Sequence, residues 1–188
     1  MTDTIEAFRR ATGTFGRHVH AVRDDQWDLP TPCSDWDVRA LVNHLVGEQV
    51  WIPPLVGGAT VAEVGDRFDG DLLGGDPRAA WDAAALEAVA AFERPGAMEA
   101  TVHLSYADVL GEHYAFEVMS DLLVHGWDLA TAIGADRRLD PDLVEAVYGH
   151  WLPRAGDMAA SGAFGTRLDP PPGADRQTEL LALFGRRA

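Results

Sequence analysis

No lysine or arginine occurs between residues 111 and 136, yet the stretch "DLLVHGWDLA" (121–130) inside that segment is apolar nearly all round when wound as a helix. Helices of that kind are buried. The same stretch places Asp121 and His125 four residues apart, so both side chains leave one face of the helix. An ionised carboxylate loses its hydration in such surroundings, at high cost unless a cation or hydrogen-bond donors replace the water. What compensates Asp121 is the question on which any fold for this chain turns.

The other segments supply partners for that helix. Phe8, Ala11, Phe15, His18 and Val22 form a stripe of period 3.6 that predicts an amphipathic helix over roughly residues 3–24. "LPTPCSDWD" breaks the pattern with two prolines, and residues 34–37 form a weak capping-box-like start for a second helix running to about Val50. Trp36 or Asp37 serves equally as its boundary, and Pro53-Pro54 is expected to end it. "GGATVAEVGDRFDGDLLGGD" reads as a connection without a period. Asp76-Pro77 opens a third, Ala-rich helix that stops at Pro95-Gly96. "MEATVHLSY" reads as a short extended piece, and the fourth and most apolar helix runs from about Gly111 to Ile133, closed by Gly134 as a C-cap. Asp140 before Pro141 starts a fifth helix, kinked or interrupted near Pro153; a stiff connector, "LDPPPGADRQ", and a helical tail, "TELLALFG", follow. Long helices joined by loops imply an all-α fold, a four-helix bundle with additional short C-terminal helical segments, in one domain spanning residues 1–188.

Composition narrows the partners. Fifteen Lys and Arg against 30 Asp and Glu give a net charge of −15, which repels a phosphate backbone, so nucleic acid is excluded as a partner. No run of 18 apolar residues is present and "MTDTIEAFRR" lacks the basic-then-apolar order of a signal peptide; the expectation is a cytoplasmic protein with no membrane association. A single cysteine, Cys33, agrees with a reducing compartment. It is read as a small apolar residue at a helix entrance, a reactive thiol being the other reading.

Glu117, Asp121, His125 and Asp128 lie along one stripe of the fourth helix, and His44 adjoins an apolar face of the second. If those faces pack together, two imidazoles and a carboxylate converge, a set that holds a divalent ion and leaves room for water or substrate. From spacing alone the plainer reading stands first, in which Asp121 and His125 are a same-helix hydrogen-bonded pair and His44 is half-buried and satisfied. The absence of a nearby cationic side chain favours an ion from outside the chain. His18 is the substitute ligand, or else a core histidine bonded to a neighbour. His113, about 12 Å along the helix from Asp121, is too far to share an ion with it; His20 reads as exposed, and His103 and His150 as lacking convergent partners.

"TPCSDWDVRALVNHLVGE" (31–48), "DLLVHGWDLATAIG" (121–134) and "DRQTELLALFGRRA" (175–188) resemble the DinB-like superfamily, specifically metal-binding proteins related to the N-terminal domain of mycothiol-dependent maleylpyruvate isomerase. The resemblance implies a DinB-type four-helix bundle holding a divalent metal, often zinc, with nickel, iron and manganese also suited to the donors. Carried over by position, the ligands are His44, Asp121 and His125. The isomerase has Glu where this chain has Asp121, and it carries a further domain that helps hold its substrate. Asp128 and Glu48 are candidates to orient a ligating imidazole or accept a proton. The implied function is a metal- and thiol-dependent transferase or isomerase, with mycothiol as co-substrate beside a small-molecule substrate. A metal-binding or sensing module without turnover and a metal-assisted hydrolase are the alternatives. A homodimer is compatible with the sequence, which does not decide it.

Overall fold

The computed structural model describes residues 3–34, 36–156 and 165–188, which group into two compact units, 1–136 and 137–188. In the first unit lie α1 (Thr4–Ala21), α2 (Val38–Val56), a one-turn α3 (Val61–Val64), α4 (Pro77–Phe92), the strands β1 (Thr101–His103) and β2 (Asp108–Leu110), and α5 (Gly111–Ile133). The second holds α6 (Pro141–Trp151), a 3-10 turn at Leu152–Arg154 and α7 (Arg176–Leu183). Among the described residues no helix is long and apolar enough to cross a membrane. The expected all-α, DinB-like architecture is what the chain forms.

Three of the four bundle helices start where a short acid can take up free amides. Asp3, Asp37 and Asp76 cap α1, α2 and α4 by accepting from the backbone N–H of Ile5, Ala40 and Ala79. α5 has no such cap. Its first amides instead meet loop carbonyls, Gly111 N–H donating to Ala100 O (2.8 Å) and Glu112 N–H to Met98 O (2.9 Å). That approach leaves no space for a side chain, since a Cβ on Gly111 would lie 1.9 Å from the Ala97 carbonyl oxygen. At the other end Gly134, at φ +73°, closes the helix onto the carbonyls of Ala130 and Thr131.

The four long helices close into a ring in which α1 packs on α5, α5 on α2, α2 on α4 and α4 on α1. Thr4 reaches Glu112 at one end and Gln26, just beyond α1, reaches the Ile133 carbonyl at the other, so α1 and α5 run parallel. α4 is antiparallel to α1, with Phe8 against Phe92 (5.0 Å between ring centroids) and Phe15 against Trp81 (4.7 Å). The expected stripe on α1 is buried at Phe8, Ala11, Phe15 and Val22, with His18 half-buried. α5 is buried on nearly all sides, as its composition requires. In the second unit α6 packs on α7, which Asp175 caps.

Four features depart from the sequence reading. α2 does not end at its prolines but continues to Val56. Pro53 and Pro54 fall in the final turn, where their missing N–H groups cost only the bonds to the carbonyls of Gln49 and Val50, while their own carbonyls are taken up by the chain beyond: Gly57 N–H bonds Pro53 O and Ala59 N–H bonds Pro54 O. The supposed periodless connection contains α3, nucleated by a reciprocal capping box between Thr60 and Glu63. The extended piece at residues 101–103 has an antiparallel partner in β2, and His103 does have a partner, its Nδ1 lying 2.7 Å from Asp108 Oδ1 across the hairpin. α6 gives way to the 3-10 turn that contains Pro153, as expected; the end of that expected helix, 157–161, lies outside the described residues.

The close approach at the start of α5 makes a prediction. Gly111→Ala should cost about 2 kcal/mol or more, because backbone and not a flexible side chain must move. Gly134→Ala, which meets no atom and is penalised only by its left-handed conformation, should cost about 1–2 kcal/mol. Thermal unfolding of both variants measures the difference; equal or reversed losses would contradict the packing described.

Candidate metal centre

α2 and α5 run antiparallel, and this direction sets the site. His44 extends from α2 toward the face of α5 that carries Asp121 and His125, one helical turn apart. The Asp121 carboxylate lies between the two rings: Oδ2 is 3.0 Å from His44 Nε2 and Oδ1 is 3.4 Å from His125 Nε2. One donor atom from each of the three side chains lies within 4.8 Å of the others. A divalent ion held by these three side chains would need bonds of about 2.0–2.2 Å to each donor. The chemistry of the donors, two neutral nitrogens and one anionic oxygen, fits a divalent ion.

Asp121 does pair with His125 on its own helix, as the plainer reading of the spacing expects, but the closer of its two imidazole partners is His44, from a different helix and 77 positions away in the chain. His125 is buried, and its outer nitrogen, Nδ1, lies 2.9 Å from Oδ2 of Asp128, whose side chain is wholly inaccessible. A proton held on Nδ1 by that carboxylate leaves the lone pair of Nε2 directed at the site. Asp128 thus sits behind His125, on the side away from Asp121.

Glu48 lies one turn after His44 on α2. It keeps partial exposure to solvent yet is densely surrounded by protein, and burial, reinforced by the charges of Asp121 and Glu117, pushes its carboxyl up to about 7 against the opposing pull of His44 and His125. Burial also acts against the charged form of His44, but the Asp121 hydrogen bond and the charges of Asp121 and Glu48 outweigh it and raise its pKa above the ordinary imidazole value. Glu117, one turn before Asp121, accepts from the Tyr106 hydroxyl at 2.5 Å and lies 3.2 Å from His113 Nε2. The Tyr114 hydroxyl is held well above its usual range by burial and by the charges of Glu48 and Glu117. Carboxylates and phenols thus extend the polar surface from the histidines toward the hairpin.

Two aspects were not read from the sequence. Tyr106, carried by the unforeseen hairpin turn, reaches Glu117 only through tertiary folding. Trp36 stacks on His44 with centroids 4.5 Å apart and rings inclined by 32°, and lies 5.4 Å from the His125 ring. Its spacing from His44, eight residues or just over two turns, was the available signal. His18, by contrast, is half-buried in the field of Asp136, beyond the far end of α5; burial and then the Arg17 charge lower its pKa. Cys33 lies in the turn preceding α2 and is not in a disulfide, its backbone N–H donating to Thr31 Oγ1. His20 is exposed and pairs with Asp82.

Comparison with known proteins identifies the family. Residues 8–130, which contain the three donors, match the family described as mycothiol maleylpyruvate isomerase N-terminal domain. Two relatives from Mycobacterium tuberculosis, the uncharacterized protein Rv0738 of strain H37Rv and the uncharacterized protein MT0763 of strain CDC 1551, are each 39% identical over 145 residues, covering 75% of this chain and 73% of theirs. No solved structure gives a significant match. With the match spanning all four bundle helices up to Ala130, the chain belongs to the mycothiol maleylpyruvate isomerase N-terminal domain family, within the DinB-like superfamily.

Proposed function

We propose that this protein binds a divalent metal, most plausibly zinc, through His44, Asp121 and His125, and uses it to activate a low-molecular-weight thiol for transfer to, or isomerisation of, a small electrophilic substrate. The observation that carries this reading is the convergence of two imidazoles and a carboxylate from two helices, within 4.8 Å of one another. Membership of a family named for a mycothiol-dependent isomerase supports mycothiol as the thiol. A bound divalent ion supplies Lewis acidity, favouring the thiolate form of a thiol at neutral pH.

The chain's own groups have separable parts in this reading. Asp128 holds the Nδ1 proton of His125 and thereby fixes the tautomer that presents Nε2. Glu48, with its carboxyl near 7, takes up a proton released in the pocket and returns it at the same pH. The buried ring of Tyr114 and the half-buried ring of Trp36 limit the access of water. A metal-assisted hydrolase would use the same ligands and Glu48 as base; dependence of turnover on added thiol separates the two.

Elemental analysis after reconstitution should find near-stoichiometric divalent metal in the parent and little in His44→Ala or His125→Ala. Asp128→Asn should retain the site but bind roughly 10- to 100-fold more weakly. Undiminished metal in both alanine variants would refute the ligand assignment. In the cobalt-loaded protein, adding mycothiol should produce a sulfur-to-metal charge-transfer band, and an unchanged spectrum would count against thiol activation.

The metal-free protein carries its own signature. Glu48 and His44 both have folded-state pKa values above the ordinary ones, so the folded chain binds more protons than the unfolded chain in that range. Their contribution to stability is present below the ordinary glutamate value of 4.5 and, for Glu48, is lost as the pH rises through about 7. The thermal midpoint of metal-free protein should therefore fall more steeply between about pH 5 and 8 than that of Glu48→Gln, while a divalent ion, which prefers the deprotonated donors, should reduce the fall. Identical slopes for parent and Glu48→Gln would contradict the environment assigned to Glu48.

A further inference from the structure

The two imidazoles are supported unequally. His125 has a carboxylate behind it, Asp128, bonded to the nitrogen that does not face Asp121. His44 bonds Asp121 through Nε2, and among the described residues its Nδ1 makes no hydrogen bond. Histidines that ligate metals almost always have their second nitrogen tied to a carboxylate, carbonyl or water, because an untied ring turns about its last side-chain torsion and presents its lone pair in the wrong direction. Unlike His125, the ring of His44 therefore has no protein group bonded behind it, and what the protein sets against it is an aromatic face.

The Trp36 indole is that face. Its ring centroid lies 4.5 Å from that of His44 in a tilted stack inclined by 32°, whereas the two imidazoles meet edge to face at 75°. The backbone that carries the indole is itself anchored. The main-chain N–H of Trp36 donates to Cys33 O (2.9 Å), and its main-chain carbonyl accepts from both Thr31 N–H (3.3 Å) and the Thr31 hydroxyl (2.9 Å), a knot immediately before the helix cap Asp37. We infer that Trp36 is a positioning residue for the metal centre, its stacked face doing for His44 what the Asp128 carboxylate does for His125. The inference rests on the metal-binding reading above, but its geometric half concerns the metal-free protein.

The consequence is a division of labour between two independent supports. A flat side chain at position 36 is required, not merely an apolar one. Trp36→Phe should keep zinc affinity within about threefold of the parent, whereas Trp36→Leu, similar in apolar character but without a planar face, should bind roughly tenfold more weakly, as expected for loss of a group that orients a ligand. Combined with Asp128→Asn the loss should exceed that of either change alone, without being their simple product, because Trp36 also lies 5.4 Å from the His125 ring that Asp128 holds.

The test is competition against a chromogenic chelator for zinc, paired with proton NMR of the imidazole rings in metal-free protein. In the parent and in Trp36→Phe the His44 ring protons should show an aromatic ring-current shift; in Trp36→Leu that shift should vanish while zinc affinity falls. Trp36→Leu binding zinc as tightly as the parent, or Trp36→Phe binding as weakly as Trp36→Leu, would overturn the inference. If the parent takes up no zinc, the metal-binding reading fails by itself, and an absent ring-current shift at His44 in the metal-free parent would separately overturn the stacking.

Discussion

A carboxylate held between two imidazoles, on a helix that is otherwise apolar nearly all round, is the constraint to which the rest of this fold answers. Asp121 has no lysine or arginine on its own helix to neutralise it. Its compensation comes from His44, which can reach it only if α2 lies against α5 in antiparallel register. Packing and chemistry are therefore not separable here, because the contact that places α2 also completes the set of donors. The cost of carrying acidic groups in such a location, in protein that could have been filled with leucine, is understandable if a cation is to be held there.

The ring of helices serves that arrangement. α5 is the best-buried element, fixed at its start by Gly111 under a loop carbonyl and at its end by the left-handed Gly134. α1 and α4 supply aromatic packing, Phe8 on Phe92 and Phe15 on Trp81, on the side of the bundle formed by their own pairing. Polar residues concentrate where α2 faces α5, from Asp128 behind His125 through Asp121 to Glu48, Glu117 and the hairpin's Tyr106. The result is a stiff framework with its polar groups gathered along one seam.

What was legible in the sequence is what is local or periodic. The bounds of α5 followed from an apolar run and a glycine cap, and those of α4 from Asp76-Pro77 and the Pro95-Gly96 stop. Helical spacing puts Asp121, His125 and Asp128 on one stripe and His44 and Glu48 on one face of α2, whereas the choice of His44, Asp121 and His125 as a ligand set, with Asp128 and Glu48 beside it, followed from the family resemblance. The features that escaped depend on partners distant in the chain or on compensation by neighbouring backbone. α2 passes through Pro53 and Pro54 to a terminus closed by residues beyond them, Gly57 and Ala59, whose amides bond the two proline carbonyls. His103 finds Asp108 only across a hairpin, and Trp36 finds His44 only because a knot of hydrogen bonds around Thr31 turns the indole back onto the helix. The one-turn α3 was legible in principle, since Thr60 and Glu63 spell a capping box, but a single turn leaves no periodic trace.

The most direct measurement is an anomalous difference map from a crystal of the zinc-reconstituted protein, recorded on both sides of the zinc absorption edge. The account predicts one strong peak bounded by His44 Nε2, His125 Nε2 and the Asp121 carboxylate, with Asp128 still on the outer nitrogen of His125. A peak at other residues, or a map with none and Asp121 still bridging the two imidazoles, would contradict it.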